Sequence, residues 1–195
     1  MKLAHMIYDA LTGDYHSLHE FARSRHYHAL GVETTDINEH LPTLEMLTVQ
    51  LNLKHVLELG VRDGDSTIAL LSAVERIGGE VTSIDIEDCP VARKRVCNAY
   101  FDPLWTFIQD DDLMVEWDRP IDHLFIDTTH QYQHTVMELE KFAPFVAPGG
   151  LITLHDFAVP GVAKAVTKFL WKNPDMTLYS YMHNNGLAVI FKGDP

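Results

Sequence analysis

The chain has 195 residues, of which 46% are hydrophobic and 22% charged, a composition typical of one globular domain with a sizeable core. Its formal net charge of −13 at pH 7 disfavours a nucleic acid as the partner, because binding to a phosphate backbone depends on a basic surface. We therefore expect a small-molecule partner.

Membrane and export signals are not evident in the sequence. The apolar runs are far shorter than the roughly 20 residues that span a bilayer, and the first residues have no apolar segment followed by a cleavage site. The two cysteines, Cys89 and Cys97, lack the spacing of a metal or redox motif. We expect a cytoplasmic protein with reduced thiols.

Residues 1–40 are rich in histidine and aromatic side chains with weak helical periodicity, and we predict that they form a helical cap on a main domain of residues 41–195. From residue 41 onward, helical and strand periodicities alternate. The predicted helices are LPTLEMLTVQL, STIALLSAVERI, VARKRVCNAYF, HTVMELEKFAPFV and GVAKAVTKFLWK. The predicted strands are HVLEL, VTSIDI, WTFIQ, IDHLFID, LITLH, TLYSYM and LAVIFK.

This alternation predicts parallel βαβ units with helices on both faces of the sheet. The last two strands flank the short loop HNNG, which is typical of a hairpin and adds an antiparallel strand. The predicted fold is a doubly wound, Rossmann-like α/β domain with seven strands, mostly parallel.

The first loop between a strand and a helix reads LELGVRDGDS. Gly60 and Gly64 allow tight turns and close approach of a ligand, and Asp65 or Ser66 can cap the next helix. The loop lacks the dinucleotide motif G-x-G-x-x-G, and its acids disfavour a pyrophosphate. Asp85 ends the next strand, where an acid accepts hydrogen bonds from ribose hydroxyls.

A cationic nucleoside without phosphate, such as S-adenosylmethionine, fits these residues. The alternative is that the two glycines serve only chain reversal and that Asp85 is a solvated strand end. The ordered set, in the expected strand contexts, favours the ligand.

The stretches VLELGVRDGDSTIALL, SIDIED and LFIDTTHQYQHTVMELEKFAPFVAPGGLITLHDF resemble the class I S-adenosylmethionine-dependent methyltransferases. They are most similar to the small-molecule O-methyltransferase branch, which includes macrolide-sugar O-methyltransferases and cephalosporin-hydroxylase-type proteins. The resemblance covers about residues 41–192.

The resemblance implies that Glu58, Gly60 and Gly64 line the methionine end of the cofactor, with Ser66 beside them. It implies that Asp85 holds the ribose. By the same resemblance Asp111 lies beside the adenine, although Asp110 and Asp112 are alternatives in the run of three aspartates.

Two neighbouring strands end on acids, so Asp127, His155 and Asp156 can converge on one divalent ion. The resemblance implies a metal there. Oxygen ligands suit magnesium, whereas a histidine shifts the preference towards manganese, iron or zinc. The pair His155-Asp156 differs from the pairs usual in these relatives, and His155 fits equally well as a hydrogen-bonded core histidine.

His130 lies three residues after Asp127, where catechol-type relatives place a lysine thought to act as the base. An imidazole is a suitable general base near neutral pH. The alternative is that His130 caps the helix beginning near His134, and for His134 itself we favour a structural role.

We therefore expect methyl transfer from S-adenosylmethionine to a hydroxyl of a small molecule, assisted by a metal, in a protein that can form homo-oligomers. Two alternatives stay open. Two histidines and a carboxylate can form the triad of an iron-dependent oxygenase, and the domain can be a non-catalytic S-adenosylmethionine-binding module.

Overall fold

The computed structural model describes residues 35–193. Its helices in that range are α1 (Leu41–Gln50), α2 (Asp65–Ile77), α3 (Pro90–Asn98), α4 (Tyr132–Phe142) and α5 (Pro160–Lys172). Its strands are β1 (His55–Leu59), β2 (Glu80–Asp85), β3 (Trp105–Gln109), β4 (Ile121–Ile126), β5 (Val146–His155), β6 (Thr177–Tyr181) and β7 (Leu187–Phe191).

The strands form one sheet in the order β3-β2-β1-β4-β5-β7-β6. Strand β7 runs antiparallel to its neighbours β5 and β6, and the other adjacent pairs are parallel. The predicted fold is confirmed. The strand order reverses between β1 and β4, and ligands of such sheets bind beyond the carboxyl ends of the strands at this point.

The core has two apolar layers, because successive side chains of a strand point to opposite faces of the sheet. Val56 of β1 packs in the layer that contains Leu44 of α1. Its neighbour Leu57 packs in the layer that contains Leu139 of α4. Both strand residues are buried. Helices on both faces therefore hold the strands rigidly and leave the strand ends free to carry a site.

The segment before the fifth strand differs from the prediction, which extended the helix to APFV and began the strand at Leu151. The helix α4 ends at Phe142 and a 3₁₀ turn over Ala143–Phe145 follows. Pro144 has no amide hydrogen to continue the helical ladder. Strand β5 begins at Val146, and its pairing with β4 shifts register before Leu151.

Residues 1–34 of the predicted cap lie outside the described residues, so the domain division at residue 40 stays a prediction. In the part that the structure describes, no helix combines the length and the apolar composition that crossing a membrane needs.

A buried histidine joins the sheet to α1. The Thr48 hydroxyl donates to the Leu44 carbonyl at 2.7 Å, so its oxygen accepts from Nδ1 of His123 at 2.9 Å. The Thr153 hydroxyl then donates to Nε2 of His123 at 2.7 Å. Burial lowers the pKa of His123 to about 3, which keeps the ring neutral.

We predict that Thr153→Val lowers the free energy of unfolding by about 1–3 kcal/mol, because Nε2 of His123 is left as a buried acceptor without a donor. Denaturant unfolding at pH 7 measures this loss. The matched control is Thr106→Val on the exposed side of β3, where we expect little change. Equal losses in the two variants would show that the Thr153 hydroxyl contributes nothing specific.

Candidate active site

The loop after β1 is held by the carboxylate that ends β2. Asp85 Oδ2 accepts hydrogen bonds from the amides of Val61 at 2.7 Å and Arg62 at 3.1 Å. Its Oδ1 accepts from the amide of Glu87 at 2.9 Å. Burial raises the pKa of Asp85, but these bonds outweigh it and hold this pKa below its ordinary value. They also stabilise the left-handed backbone of Arg62, whose φ is 50°.

The loop after β1 and the loop after β4 meet at Gly60. A Cβ atom at this position would collide with the backbone carbonyl of Asp127, and the φ of Gly60 is 87°. The amide of Asp127 in turn donates to the carbonyl of Leu59 at 2.8 Å. The loop after β1 and the loop after β4 are therefore in direct backbone contact.

Glu58 lies in β1, two residues before Gly60, and is fully buried. Its carboxylate accepts hydrogen bonds from the hydroxyls of Ser66 at 2.6 Å, Thr67 at 2.8 Å and Ser83 at 2.6 Å. Burial raises the pKa of Glu58 to about 7 in spite of these donors. The structure thus brings Glu58 and Ser66 together, with both oxygens of the carboxylate bonded within the protein.

The predicted capping of the following helix by Asp65 or Ser66 is wrong. The cap position of α2 is Gly64, with φ 85° and no side-chain hydrogen bond to the helix. The Ser66 hydroxyl is taken by Glu58, and Asp65 forms an ion pair with Arg95 at 2.6 Å. The helix amides are left for another acceptor.

The three aspartates after β3 point in different directions. Asp110 is exposed, Asp111 is half-buried and accepts the amide of Leu113 at 2.9 Å, and Asp112 is buried. Asp112 faces His134 and Glu138 of α4. Of the three, Asp112 is the one buried in the interior, and the place of Asp111 beside the adenine stays a prediction.

The residues predicted at the ends of β4 and β5 lie together. Nδ1 of His155 is 3.4 Å from Asp127 Oδ1 and 3.0 Å from Asp156 Oδ2. Nε2 of His155 points at two backbone carbonyls, of Asp36 at 2.9 Å and of Asn184 at 3.2 Å. Because carbonyls only accept, Nε2 carries a proton.

Nδ1 of His155 is buried and has no hydrogen bond within the described residues. It therefore either carries a second proton or offers a lone pair to a cation held by the two carboxylates. Burial lowers the pKa of His155, but Asp127 and Asp156 together raise it to about 10.

His130 joins this group from the loop after β4. Its Nε2 lies 2.7 Å from Asp156 Oδ2 and 3.5 Å from Asp127 Oδ1. The hydrogen bond with Asp127 and the charge of Asp156 raise the pKa of His130. Burial raises the pKa of Asp127, but the two histidines lower it to about 2.

The alternative role of His130 as a helix cap does not fit the structure. Helix α4 begins at Tyr132, its cap position is Gln131, and no side chain caps it. Both His130 and Asp156 have left-handed backbone conformations, with φ of 56° and 55°. Such strain in non-glycine residues concentrates at functional sites. The strand-end cluster, defined as Asp127, His130, His155 and Asp156, is therefore the candidate active site.

A second group, formed by Asp112, His134 and Glu138, escaped the sequence analysis. The donor atoms of these three side chains lie within 4.8 Å of one another. The spacing of His134 and Glu138 on one face of a helix was a signal for it. The partner Asp112 comes from a distant loop, which the sequence does not place there.

We predict that the stability of the wild type falls relative to Glu58→Gln as the pH rises. Glu58 has a pKa of about 7 when folded against an ordinary 4.5, so its ionisation opposes folding between these values. At about 1.4 kcal/mol per pH unit, the relative loss is on the order of 3 kcal/mol.

Denaturant unfolding of both proteins at pH 5 and pH 8 measures this difference. The exposed Glu116→Gln serves as the matched control and should follow the wild type at both pH values. If the wild type became more stable relative to Glu58→Gln as the pH rises, the three hydroxyls would stabilise the carboxylate by more than burial destabilises it.

Comparison with known families identifies the domain. A family model described as a methyltransferase domain matches residues 57–157, just over half of the chain. A comparison with curated proteins gave no significant match.

Solved structures share the fold at low sequence identity. A Staphylococcus aureus protein assigned as a caffeoyl-CoA O-methyltransferase has a TM-score of 0.68 and 21% identity, and 98% of each chain is covered. A Bacillus cereus O-methyltransferase in complex with S-adenosylhomocysteine has a TM-score of 0.67 and 17% identity, with 90% of each chain covered. A Podospora anserina methyltransferase with the same ligand has a TM-score of 0.68 and 16% identity, covering 95% of this chain and 88% of that one.

Such low identities establish the fold alone, whereas the family match covers the loop after β1, the strand-end acids and the segment between them. The resemblance of the sequence to the class I methyltransferases is confirmed, and the chain belongs to the methyltransferase-domain family.

Proposed function

We propose that the protein transfers a methyl group from S-adenosylmethionine to a hydroxyl of a small molecule. The observation that carries this proposal is the backbone contact between Gly60 and Asp127. It joins a loop suited to a cationic nucleoside to a cluster suited to activating a hydroxyl. Methyl transfer needs these two parts side by side, because donor and acceptor atoms must approach to roughly 3–3.5 Å.

The cofactor would lie along the carboxyl ends of β1, β2 and β3. Asp85 ends β2 and is only half-buried, so its carboxylate can meet a ribose hydroxyl as well as the loop amides that it already accepts. Gly60, Gly64 and Asp111 would line the pocket. Glu58 and Ser66 support it from beneath, since each is hydrogen-bonded inside the loop. The two neighbours with bound S-adenosylhomocysteine support this choice of cofactor.

The acidic residues would also discriminate between ligands. The sulfonium of S-adenosylmethionine is positively charged, and the loop after β1 carries Asp63 while Asp85 accepts hydrogen bonds from the same loop. A pyrophosphate would meet repulsion from the same carboxylates. We therefore expect NAD to bind more weakly than S-adenosylmethionine.

The strand-end cluster fits a divalent metal ion. Asp127 and Asp156 offer oxygens, and the lone pair of His155 Nδ1 faces both when Nε2 carries the single proton. This mixed set favours manganese, iron or zinc over magnesium. A bound ion would lower the pKa of a coordinated hydroxyl.

His130 is placed to accept the proton of the acceptor hydroxyl. In its neutral form, Nε2–H donates to Asp156 at 2.7 Å, so Nδ1 holds the lone pair. A carboxylate that orients an imidazole in this way is the arrangement of a catalytic dyad. The side chain is 41% exposed, so a substrate in the cleft can reach it.

The oxygenase alternative rests on the two imidazoles beside Asp127 and Asp156, which can supply two histidines and a carboxylate to iron. An oxygenase would consume dioxygen with Fe²⁺, and the acidic loop after β1 would have no purpose. The two functions are separated by incubating the protein with S-adenosylmethionine and a panel of catechols, sugars and hydroxylated natural products. A methyltransferase would release S-adenosylhomocysteine, whereas an oxygenase would not. A non-catalytic module would bind the cofactor without releasing this product.

We predict that S-adenosylmethionine raises the melting temperature, since a ligand that binds only the folded state stabilises it. Asp85→Asn should weaken its binding by about 1–3 kcal/mol, because an NH2 donor replaces one of the two acceptor oxygens that the loop amides and the ribose hydroxyls share. Calorimetry measures the affinity. The exposed Asp118→Asn is the matched control and should bind as the wild type does. Equal or tighter binding of NAD would refute the choice of cofactor.

We predict that His130→Ala lowers kcat by roughly 10²–10⁴ while the affinity for S-adenosylmethionine changes little, because the proton acceptor is lost and the loop after β1 is untouched. Turnover with an acceptor from the screen and calorimetry give the two readouts. His55→Ala, on a side chain at the opposite end of β1, is the control. Wild-type kcat in His130→Ala would exclude His130 as the base.

A further inference from the structure

We propose that Asp112, His134 and Glu138 form a second site, the α4 site, for a divalent transition-metal cation. Two of these residues lie on α4, and Asp112 lies in the loop after β3. None of the three belongs to the strand-end cluster. The site would clamp this loop, which carries the predicted adenine residue Asp111, to the helix.

The distances between the potential metal-ligand atoms of the three side chains point to a shared ion. Nε2 of His134 is 3.4 Å from Asp112 Oδ1 and 3.5 Å from Glu138 Oε1. Hydrogen bonds from nitrogen to oxygen are usually 2.7–3.2 Å, so these distances are too long for good ones. Ligands at about 2.0–2.1 Å around a tetrahedral ion lie about 3.4 Å apart. The separation of His134 Nε2 from each carboxylate oxygen is therefore the one expected for two ligands of the same ion.

The carboxylates of Asp112 and Glu138 are buried, and each has an oxygen without a hydrogen bond in the described part of the chain. Glu138 is 0% exposed and Asp112 is 7% exposed. Within residues 35–193, Asp112 Oδ1 and Glu138 Oε2 have no hydrogen-bond partner. Buried carboxylate oxygens without a partner are costly, and coordination of a metal is one of the ways in which proteins compensate them.

The surroundings hold the ligands in place, and one oxygen of each carboxylate, Asp112 Oδ1 and Glu138 Oε2, stays without a hydrogen bond among the described residues. Thr128 donates its hydroxyl to Glu138 Oε1 at 2.6 Å. Lys141 donates to the backbone carbonyls of Asp112 and Val115, at 2.6 Å each. The ammonium thus orders the loop through its backbone. A carboxylate held by a hydroxyl is the outer support that metal ligands usually have.

The ligand set favours zinc or manganese over calcium or magnesium. Two carboxylates and one imidazole form a mixed oxygen and nitrogen set, which suits transition metals, whereas calcium and magnesium prefer oxygen alone. The charges of two carboxylates and one divalent cation cancel when the imidazole is neutral. The buried group would then carry no net charge.

The test measures Zn²⁺ bound per chain after stripping with a chelator and reconstitution, without cofactor or acceptor. We expect Glu138→Gln and His134→Gln each to lose one bound ion relative to the wild type, with a lower melting temperature in Zn²⁺. The matched control is Glu140→Gln, on an exposed residue of the same helix, which should keep the ion. Asp127→Asn removes a ligand of the strand-end cluster and should also keep the ion that depends on Glu138.

Substitution with Co²⁺ in the Asp127→Asn chain gives a second readout that needs no change in the α4 site. A tetrahedral site should give visible d–d absorption, and Glu138→Gln should remove it. Equal zinc content in the wild type and Glu138→Gln, or no Co²⁺ band with Asp127→Asn, would overturn the α4 site. Either result leaves the proposed methyl transfer standing, because neither measurement involves the cofactor or turnover.

Discussion

The backbone contact between Gly60 and Asp127 is the constraint on which the rest of the site depends. Parallel pairing of β1 with β4 brings the two loops together, and only a residue without a Cβ atom fits between them. The amide of Gly60 also donates to the carbonyl of Ile84 in β2 at 2.9 Å. Three strand ends are thereby locked, and the positions of Asp85 and Asp127 relative to each other follow from the sheet rather than from flexible side chains.

The chain buries several carboxylates, and the type of partner decides how each one titrates. Glu58 is surrounded by three hydroxyls, which carry no charge, so burial dominates and raises its pKa to about 7. Burial raises the pKa of Asp127, but hydrogen bonds from two imidazoles, together with their charge, outweigh burial and lower this pKa to about 2. A structural carboxyl group with a raised pKa and a carboxylate with a lowered pKa thus lie at the ends of two adjacent strands. This difference in pKa suits a site in which Glu58 supports a loop and Asp127 carries a negative charge.

The sequence predicted the order of the elements and the residues at the strand ends, because periodicity is local and parallel strands bring their carboxyl ends to one edge. It failed where contacts join distant segments. Nothing in the neighbourhood of Asp112 indicates that it faces α4, and the hydroxyl partners of Glu58 come from α2 and β2. The end of α4 was also misplaced, since the apolar run APFV continues the helical pattern in spite of Pro144.

The segment from Asp127 to Glu138 connects the two histidine clusters, which explains its density of polar residues. Asp127 and His130 face the strand-end cluster, whereas Thr128 donates its hydroxyl to Glu138 in the α4 site. Adjacent residues of one loop therefore point into different groups. Thr128 is thus hydrogen-bonded to Glu138, and its neighbour Asp127 is in backbone contact with Gly60. The left-handed turn at His130 lets one short loop serve both clusters before α4 begins.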